Sequence, residues 1–549
     1  MIRRCFYLGS VAVLLGIATA ALMWTPAAWW ALLLVLPIIA LGVRDCLQTE
    51  HAILRNFPVL GHGRYLMETI RPETQQYFIE SNIDAYPIER EVRALVYQRA
   101  KGELDTRPFG TQRDVYRVGY EWAGHSVDAR APSEHAPRVE IGGAECRQPY
   151  ASSLLNISAM SFGALSDRAV LALNRGARAG GFAHNTGEGG ISPAHLEAGG
   201  DLIWQIGTSY FGCRTRDGQF EPGAFAEQSQ RPSVRMIELK LSQGAKPGHG
   251  GILPGVKVTR EIAAIRGLEP GKTVFSPPGH TAFDSPTGLL EFLAKLRELS
   301  GGKPVGFKLC VGRRTDVFSI CKAMLETEIV PDFISVDGGE GGTGAAPLEF
   351  SNSIGMPARD GWIFVHSALR GVGLRDRVRI IASGKIFTGF DMLRALAVGA
   401  DACASARGMM LALGCIQALR CNTNRCPTGI ATQNPALVKG LVVADKSERV
   451  RSYHQHTIRA FMGLLGSMGL ERPDQLRPHH VFRRIDDLLV RHLGELYDIL
   501  EPGQLLDGEV PTELREDWRT ATSRHWGLQP DSGSSGGEPA RADAPAVLA

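Results

Sequence analysis

The chain of 549 residues has almost no surplus of either charge, with 60 Lys and Arg against 57 Asp and Glu and a formal net charge of +3. A nucleic-acid-binding surface usually shows a concentration of basic residues, so this balance argues against a nucleic-acid partner. The chain also does not match the pattern of a small disulfide-stapled protein. Its ten cysteines are spread through a long sequence, which favours a reducing compartment.

Three of those cysteines are clustered, at Cys415, Cys421 and Cys426. Thiolates at this density suit a soft metal or an iron–sulfur cluster. A closed zinc site normally has four ligands, and no histidine lies close by in sequence, whereas a 3Fe–4S cluster needs three thiolates. Six residues are not a whole number of helical turns, so the sulfurs would have to converge from an irregular loop. The alternative is three ordinary buried cysteines and a turn.

The start of the chain is apolar in a way that the rest is not. Residues 5–24 form an uncharged run long enough, as a helix, to cross about 30 Å of hydrocarbon, and residues 27–43 form a second apolar run. Arg3, Arg4 and Arg44 flank the pair on one side. This pattern predicts a transmembrane hairpin with the following domain cytoplasmic. A cleavable signal peptide and a buried helical hairpin are the alternatives.

The middle of the chain alternates short apolar runs with helical stretches and glycine-rich loops. Such alternation predicts an α/β fold with a parallel sheet, either a closed (β/α)8 TIM barrel or an open doubly wound sheet. Glycines after the strand-like runs would let backbone amides approach a ligand at the mouth of a barrel. The predicted parts are a transmembrane hairpin (1–44), a linking and covering region (45–151), a barrel with the cysteine loop (152–440), a helical C-terminal extension (441–527) and a disordered tail (528–549).

The cysteine segment continues as Cys-Pro-Thr-Gly-Ile-Ala-Thr-Gln and resembles the cluster-binding loop of the flavin domain of glutamate synthases. Four further motifs extend the resemblance in the same order, at residues 157–166, 185–190, 238–251 and 337–345. Together they cover roughly half the chain. The resemblance implies a closed TIM barrel that carries FMN and a 3Fe–4S cluster. It also implies reduction of 2-iminoglutarate, formed from 2-oxoglutarate and ammonia, to glutamate.

A flavin at a barrel mouth needs a phosphate cradle, polar contacts for its rings and a cation near its pyrimidine end. The cradle in barrels follows the seventh and eighth strands, where Lys385 or Arg407 could supply charge. Lys308 lies within an apolar strand, so we expect it to face the mouth and stabilise reduced flavin, although a lysine extending to the barrel rim is the alternative. The predicted FMN-binding residues are Ser158, Ala159, Met160, Ser161, Lys308, Asp337, Gly338, Gly339, Gly384, Lys385, Ala406 and Arg407.

Glu188, Lys240 and Gln243 are the predicted catalytic residues. A 2-oxo dicarboxylate needs cations and amide donors for its carboxylates, and an acid or base near the imine carbon. Lys240 interrupts an apolar run, and Glu188 lies among glycines where a loop could present it to a ligand, although a solvated loop carboxylate fits the same pattern. The resemblance implies that these residues lie at a 2-oxoglutarate site.

The sequence departs from the family pattern on the substrate side. Tyr210 stands where the family usually has arginine, and His249 stands where it usually has glutamate. The stretch that ends at His280 is usually richer in proline and histidine. These departures leave the exact substrate open.

Domain content also departs from that of complete glutamate synthases, which begin with a glutaminase domain. The start of this chain leaves no room for one, so we expect a separate ammonia source. No four-cysteine ferredoxin run is present, so we expect a separate electron-donor protein or diffusing carrier. The alternative to a synthase is a membrane-tethered electron-transfer or regulatory subunit that kept the flavin scaffold.

Overall fold

The structure is a computed structural model that describes residues 2–133 and 135–527. The chain divides into two compact units, the first ending at Arg90 and the second beginning at Glu91. The disordered tail predicted for 528–549 lies outside the described residues. The other predicted domain boundaries stay predictions.

The first unit opens with two apolar helices, Ile2–Met23 and Leu32–Leu47, joined by the 3-10 turn Pro26–Ala31. Both segments, the second counted from Pro26, are long and apolar enough to cross a membrane, with a mean hydropathy of 2.1. Arg3 Nη2 donates to the Cys46 carbonyl at 3.3 Å, so the start of the first helix lies beside the end of the second. The predicted pair of apolar helices is confirmed, and its placement in a membrane stays a prediction.

The rest of the first unit is held to the end of the second apolar helix by one buried carboxylate. Asp45 is 2% exposed. It accepts hydrogen bonds from the Val59 backbone N–H at 2.9 Å and from His62 Nε2 at 3.0 Å. These bonds fix the start of the last helical segment, which comprises Gly61–Thr74 and a π-helical turn, Gln75–Ile79. A short helix, Ala52–Asn56, precedes it.

Eight parallel strands close a barrel in the second unit. The last strand pairs with the first through Ala404 and Asn156, which closes the cylinder. The closed barrel confirms the predicted TIM fold and excludes the open sheet. The strands are β1 (Leu155–Ile157), β2 (His184–Asn185), β3 (Leu202–Ile206), β4 (Val234–Lys240), β5 (Val305–Cys310), β6 (Phe333–Asp337), β7 (Arg379–Ser383) and β8 (Ala402–Ser405).

Helices follow the strands and cover the barrel. The helix after β1 shows how its ends are set by sequence. The Ser166 hydroxyl accepts the Ala169 N–H at 3.3 Å at the start of this helix, and Gly181, at φ 67°, ends it. Gly176 lets the helix Val443–Ser467 pack closely, since a Cβ there would lie 2.8 Å from Val450 Cβ. The helices after β1 to β8 are Asp167–Gly180, Pro193–Glu197, Pro222–Ser229, Pro286–Leu299, Arg314–Thr327, Ala358–Gly371, Gly389–Ala397 and Arg407–Leu413, with Arg260–Arg266 inserted between β4 and β5.

Short antiparallel strands lie around the barrel. Arg138–Ile141 pairs with Tyr150–Ser153, and Ile141 is buried against side chains from five barrel strands and against Ala183, where it helps to fill the N-terminal end of the barrel. Ile252–Leu253 pairs with Val274–Phe275 beyond β4.

The C-terminal extension contains the predicted helices, chiefly Val443–Ser467 and Thr512–Thr520. It also contains two strands, Val481–Arg484 and Val490–His492, which the sequence pattern did not predict. They form an antiparallel sheet with Glu121–Ala123, and this pairing across a long stretch of sequence is invisible to local periodicity.

Candidate active site

The lower interior of the barrel contains one fully paired carboxylate. Glu238 on β4 accepts hydrogen bonds from Asn185 Nδ2 at 2.8 Å, Gln205 Nε2 at 2.7 Å and Ser335 Oγ at 2.5 Å. Four strands are therefore joined through one side chain, which satisfies polar groups that would be costly to bury alone. Two residues further along β4, towards the mouth, lies Lys240.

A buried ion pair lies at the mouth between β5 and β6. Lys308 Nζ is 3.3 Å from Asp337 Oδ2, and each side chain is 7% exposed. Burial lowers the pKa of Lys308, but Asp337 and then Glu238 outweigh it, so the net direction is upwards and the ammonium is kept. Asp337 also accepts the Gly244 N–H at 3.0 Å. Lys308 is thus an enclosed cation, not a lysine at the outer rim.

The predicted flavin residues after β1 and β7 lie side by side. Ser158 Oγ is 3.4 Å from Ser383 Oγ. Gly384 has φ 116°, and a Cβ there would lie 2.9 Å from Ala358 Cβ, so only glycine fits this turn. Lys385 follows, also in the left-handed region at φ 51°.

The predicted residues after β6 and β8 meet at the same end of the barrel. Arg407 Nη2 donates to the Glu340 carbonyl at 2.7 Å, which ties the start of the last barrel helix to the loop that contains Gly338 and Gly339. Burial lowers the pKa of Arg407, and Asp337 opposes that change. Ala406 immediately precedes this arginine. Small residues, left-handed turns and cations therefore lie together at the mouth of the barrel, as the binding of a phosphate-bearing flavin requires.

Gly187, in the loop after β2, packs closely against the backbone that follows β1. A Cβ at this position, which has φ 64°, would lie 2.5 Å from the Ser161 backbone nitrogen and 2.7 Å from the Met160 carbonyl carbon. The loop after β2 therefore packs directly on Met160 and Ser161. Ala159, beside them, is half-buried.

A narrow cleft brings together the three predicted catalytic residues Glu188, Lys240 and Gln243. Lys240 Nζ is 2.8 Å from Glu188 Oε1, and these side chains are 10% and 18% exposed. Because the three residues come from the loop after β2 and from β4 with its following loop, the cleft lies at the C-terminal mouth of the barrel.

Three cations surround the one carboxylate of this cleft. Burial raises the pKa of Glu188. Lys240, and then Lys246 and Arg266, lower it by a larger amount, so the net shift of this pKa is downwards. Burial, assisted by Lys240, lowers the pKa of Lys246 to about 8. Burial lowers that of Arg266 to about 10. An excess of positive charge in a half-buried cleft suits an anionic substrate.

Lys246 and Arg266 were not among the predicted site residues. Lys246 lies inside the motif at 238–251, so its position in a shared motif was an available signal. Arg266 belongs to the helix inserted between β4 and β5 and donates to the Phe162 carbonyl at 2.7 Å. Nothing in the local sequence marks it.

Two glycines make room for Glu188. A Cβ at Gly207, after β3, would lie 2.7 Å from Glu188 Cβ, and a Cβ at Gly251 would lie 2.6 Å from Glu188 Oε1. Any side chain at either position would therefore displace the carboxylate. Both glycines shape the cleft because of what approaches them, since neither has a positive φ.

Tyr210, which departs from the family pattern, and His280 are direct partners. His280 Nε2 lies 2.9 Å from the Lys240 carbonyl, which only accepts, so this nitrogen donates and Nδ1 accepts from Tyr210 Oη at 3.1 Å. Tyr210 Oη in turn accepts the backbone N–H groups of Thr281 and Ala282, each at 3.1 Å. Burial lowers the pKa of His280 to about 4, consistent with a neutral ring.

His249 lines the cleft itself. Its ring stands edge-on to Phe350, with 5.1 Å between centroids, and its Nδ1 lies 2.9 Å from the Gly250 carbonyl.

The three clustered cysteines belong to an irregular loop, as their spacing predicted. Burial raises the pKa of the Cys415 thiol to about 11, and the nearby Cys421 and Cys426 thiols add to the rise. Left-handed turns at Gln417 and Leu419 shape the loop between them. Within residues 2–133 and 135–527, however, no group of three or more Cys, His, Asp or Glu side chains is arranged to hold a metal ion. The donor chemistry fits an iron–sulfur cluster, and the ligand set is not assembled.

The loop is anchored through its backbone. Tyr97 Oη donates to the Cys415 carbonyl at 2.6 Å, and Lys257 Nζ donates to the Cys421 carbonyl at 2.9 Å. Gln433 Nε2 donates to the Leu165 carbonyl at 2.8 Å, so the end of the cysteine motif packs on the motif after β1.

Comparisons with known proteins agree with this arrangement. A family model for the conserved region in glutamate synthase matches residues 128–471. The glutamate synthase large subunit-like protein YerD of Bacillus subtilis is 37% identical over 494 residues, which cover 83% of this chain and 94% of that protein. The archaeal glutamate synthase [NADPH] of Methanocaldococcus jannaschii is 36% identical over 322 residues, 58% of this chain and 60% of that protein.

A solved flavocytochrome b2 covers 86% of this chain and 96% of its own at 14% identity, with a TM-score of 0.40, a similarity too low to carry an argument. The family match and the curated relatives are the stronger findings, and they confirm the resemblance carried by the five motifs. The chain belongs to the glutamate synthase family and is a glutamate synthase-like oxidoreductase.

Proposed function

We propose that the chain is an FMN- and iron–sulfur-dependent oxidoreductase that reduces 2-iminoglutarate, formed from 2-oxoglutarate and ammonia, to glutamate. The observation that carries the proposal is the Glu188–Lys240 pair, 2.8 Å apart in a cleft that also contains Gln243. Lys246 and Arg266 add positive charge to that cleft. A dicarboxylate with a reducible C=N bond matches this combination of cations, amide and carboxylate.

Each residue of the cleft has a chemical task in this reaction. Lys240 and Lys246 attract the two carboxylates of the substrate, and the Gln243 amide can donate to one of them. Glu188 is ionised, because its cationic neighbours hold its pKa down. Its carboxylate can therefore accept the N–H of an iminium group and orient the imine carbon. Gly207 and Gly251 fix where that carboxylate lies.

FMN, when bound at the mouth, supplies the hydride that reduces the C=N bond. The backbone of Ser158 to Ser161 would lie along the flavin, and the turn at Gly384 and Lys385, together with Ala406 and Arg407, would hold its phosphate. Lys308 would place its positive charge where reduced flavin carries negative charge, with Asp337 fixing the position of Nζ. Gly338 and Gly339 would cover the flavin from the loop after β6.

Electrons and ammonia come from other molecules in this proposal. Cys415, Cys421 and Cys426 would hold a 3Fe–4S cluster that passes electrons from a separate donor protein or carrier. Ammonia would come from a separate source. These assignments rest on the cysteine spacing and on family membership.

We also propose that the first unit anchors the enzyme in a membrane through its two apolar helices, with the barrel on the cytoplasmic side. Both helical segments are long and apolar enough to cross a membrane, and their outer ends lie together at Arg3 and Cys46. Basic residues at that shared end favour the cytoplasmic face.

The test is anaerobic reoxidation of the reduced flavin in the purified full-length protein. Addition of 2-oxoglutarate with ammonium should reoxidise the flavin and yield glutamate, and either compound alone should not. Glu188→Gln should slow this step while flavin content stays unchanged, because it removes the charge that orients the iminium group.

The competing function is a flavin electron-transfer subunit, which the changes at Tyr210 and His249 favour. It predicts that the reduced flavin reacts with an artificial acceptor but not with 2-oxoglutarate and ammonium. That outcome would refute the synthase proposal.

A further inference from the structure

The last helical segment of the first unit, residues 61–79, carries an uncovered apolar surface. On the helix Gly61–Thr74, Leu66 is 57% exposed, Met67 58% and Ile70 41%. In the turn that follows, Tyr77 is 51% exposed, Phe78 85% and Ile79 64%. Six large apolar side chains grouped within so short a segment are not the scattered exposure of an ordinary protein surface.

The helix is amphipathic in the sense that a lipid surface requires. At about 100° per residue, Leu66, Ile70 and Met67 fall within an arc of about 100°. Arg64 and Arg71 border that arc on one side, and Glu73 lies about 20° beyond it on the other. Glu68, whose carboxylate is 3.7 Å from Arg64 Nη2, lies about 150° from the centre of the arc. Arginines at the edge of an apolar face can extend their guanidinium groups towards lipid phosphates while their stems stay in the apolar layer.

The start of this helix is fixed at the end of the second apolar span. Asp45, two residues before the end of the helix Leu32–Leu47, is 2% exposed and binds both the Val59 N–H and His62 Nε2. His62 is the second residue of the helix Gly61–Thr74. The apolar face therefore begins at Leu66, four residues after the histidine that Asp45 binds.

We propose that residues 61–79 lie along the cytoplasmic membrane surface, with the apolar face at the headgroup–acyl boundary and Arg64 and Arg71 towards anionic lipid phosphates. This inference rests on the membrane anchoring proposed above and adds a second, surface-bound element to it. Continuity with the spans, the basic border and the aromatic side chains of Tyr77 and Phe78 favour lipid as the occupant of this face.

The experiment places a fluorescent noncanonical amino acid at one of three positions in the full-length protein, reconstituted into nanodiscs of phosphatidylcholine and phosphatidylglycerol. The positions are Phe78 on the apolar face, Glu68 on the opposite face as the matched control, and Leu33 within the second span as the membrane reference. Lipids brominated near the headgroup or deep in the acyl chains serve as quenchers. We expect shallow quenching at position 78 to exceed that at position 68 by about twofold or more.

The outcomes separate this inference from the anchoring on which it rests. Deep quenching at position 33 without shallow quenching at position 78 would overturn the surface-bound helix and leave the anchor intact. Absence of quenching at all three positions would overturn both. A blue-shifted but unquenched probe at position 78 would mean that protein covers the face, whether a second copy or another partner, and would also refute the proposal.

A second measurement protects the result against misfolded variants. Leu66→Glu with Ile70→Glu should reduce quenching at position 78 about twofold or more while quenching at position 33 persists, because the apolar face is interrupted and the spans are not. Replacing phosphatidylglycerol by phosphatidylcholine should weaken the shallow quenching in the parent protein. Arg64→Gln with Arg71→Gln should remove this lipid dependence. Quenching at position 78 that is unchanged by both pairs of substitutions would contradict the proposed binding mode.

Discussion

A single methyl group at Gly251 should disable the cleft. The Cβ of alanine would lie 2.6 Å from Glu188 Oε1, whereas ordinary contacts begin near 3.4 Å, so the carboxylate has to retreat by up to about 0.8 Å. Glu188 Oε1 now lies 2.8 Å from Lys240 Nζ, and a shift of that size would take the pair beyond hydrogen-bond distance. A misplacement of about 1 Å can cost a reaction about 100-fold, or roughly 2.7 kcal/mol.

The assay for Gly251→Ala is kcat/KM for 2-oxoglutarate with saturating ammonium, beside flavin content and thermal stability. Gly279→Ala is the matched control, since a Cβ there would have nothing within 4 Å and its φ is not in the left-handed region. We expect a loss of about 30- to 100-fold for Gly251→Ala and almost none for Gly279→Ala. Near-normal turnover by a flavin-loaded Gly251→Ala protein would refute the assigned role of Glu188.

Three further predictions concern charge and sulfur. The pKa of Lys246 is lowered to about 8 in the folded state, whereas it is about 10.4 in the unfolded chain. Between these pH values the unfolded chain binds more protons, so the free energy of unfolding rises with pH by up to about 3 kcal/mol. Lys246→Met should flatten that rise in denaturant titrations at pH 7 to 10, and an unchanged slope would contradict the assignment. Lys308→Met should destabilise the protein by about 3–5 kcal/mol, because it leaves Asp337 buried without its cation. Adding Asp337→Asn should recover most of that loss. Equal losses in the single and double variants would contradict the ion pair between these residues. Serine at any one of the clustered cysteines should remove iron and sulfide from anaerobically purified protein, Cys403→Ser should not, and full iron in any cluster variant would exclude that cysteine as a ligand.

Local sequence reasoning predicted the parallel sheet because its evidence repeats along the chain, whereas the closure of that sheet into a barrel was implied by the family resemblance. Strands such as β4 and β6 are apolar runs followed by glycine-rich loops, and each such unit adds to the same conclusion. The local sequence signal is weakest for β2, which comprises only His184–Asn185 and is too short to show any periodicity. The closed barrel still requires it as the link between β1 and β3. A strand of two residues is defined by its neighbours, and that information is not local.

In the site, too, some features follow from local sequence and others depend on the folded chain. Lys240 could be selected from sequence because a cation in an apolar strand must have a reason to be there. Asp337 and Lys308 were each selected, but their pairing at 3.3 Å was not, because it depends on the register of β5 against β6. Arg266 escaped entirely, since it lies on a helix between two barrel strands and reaches the cleft only through the folded loop.

The departure at Tyr210 shows what residue-by-residue comparison with a family misses. Taken by itself, it is a lost cation near a histidine-rich stretch of which His280 remains. In the structure the tyrosine hydroxyl donates to the His280 ring, and the ring donates to the Lys240 carbonyl, so both residues support the strand end that presents Lys240. The altered Tyr210 is therefore coupled to His280, and arginine at position 210 would leave His280 Nδ1 without its donor and two backbone N–H groups without their acceptor. Tyrosine at position 210 thus bears on how Lys240 is held as well as on how much charge lies near the cleft.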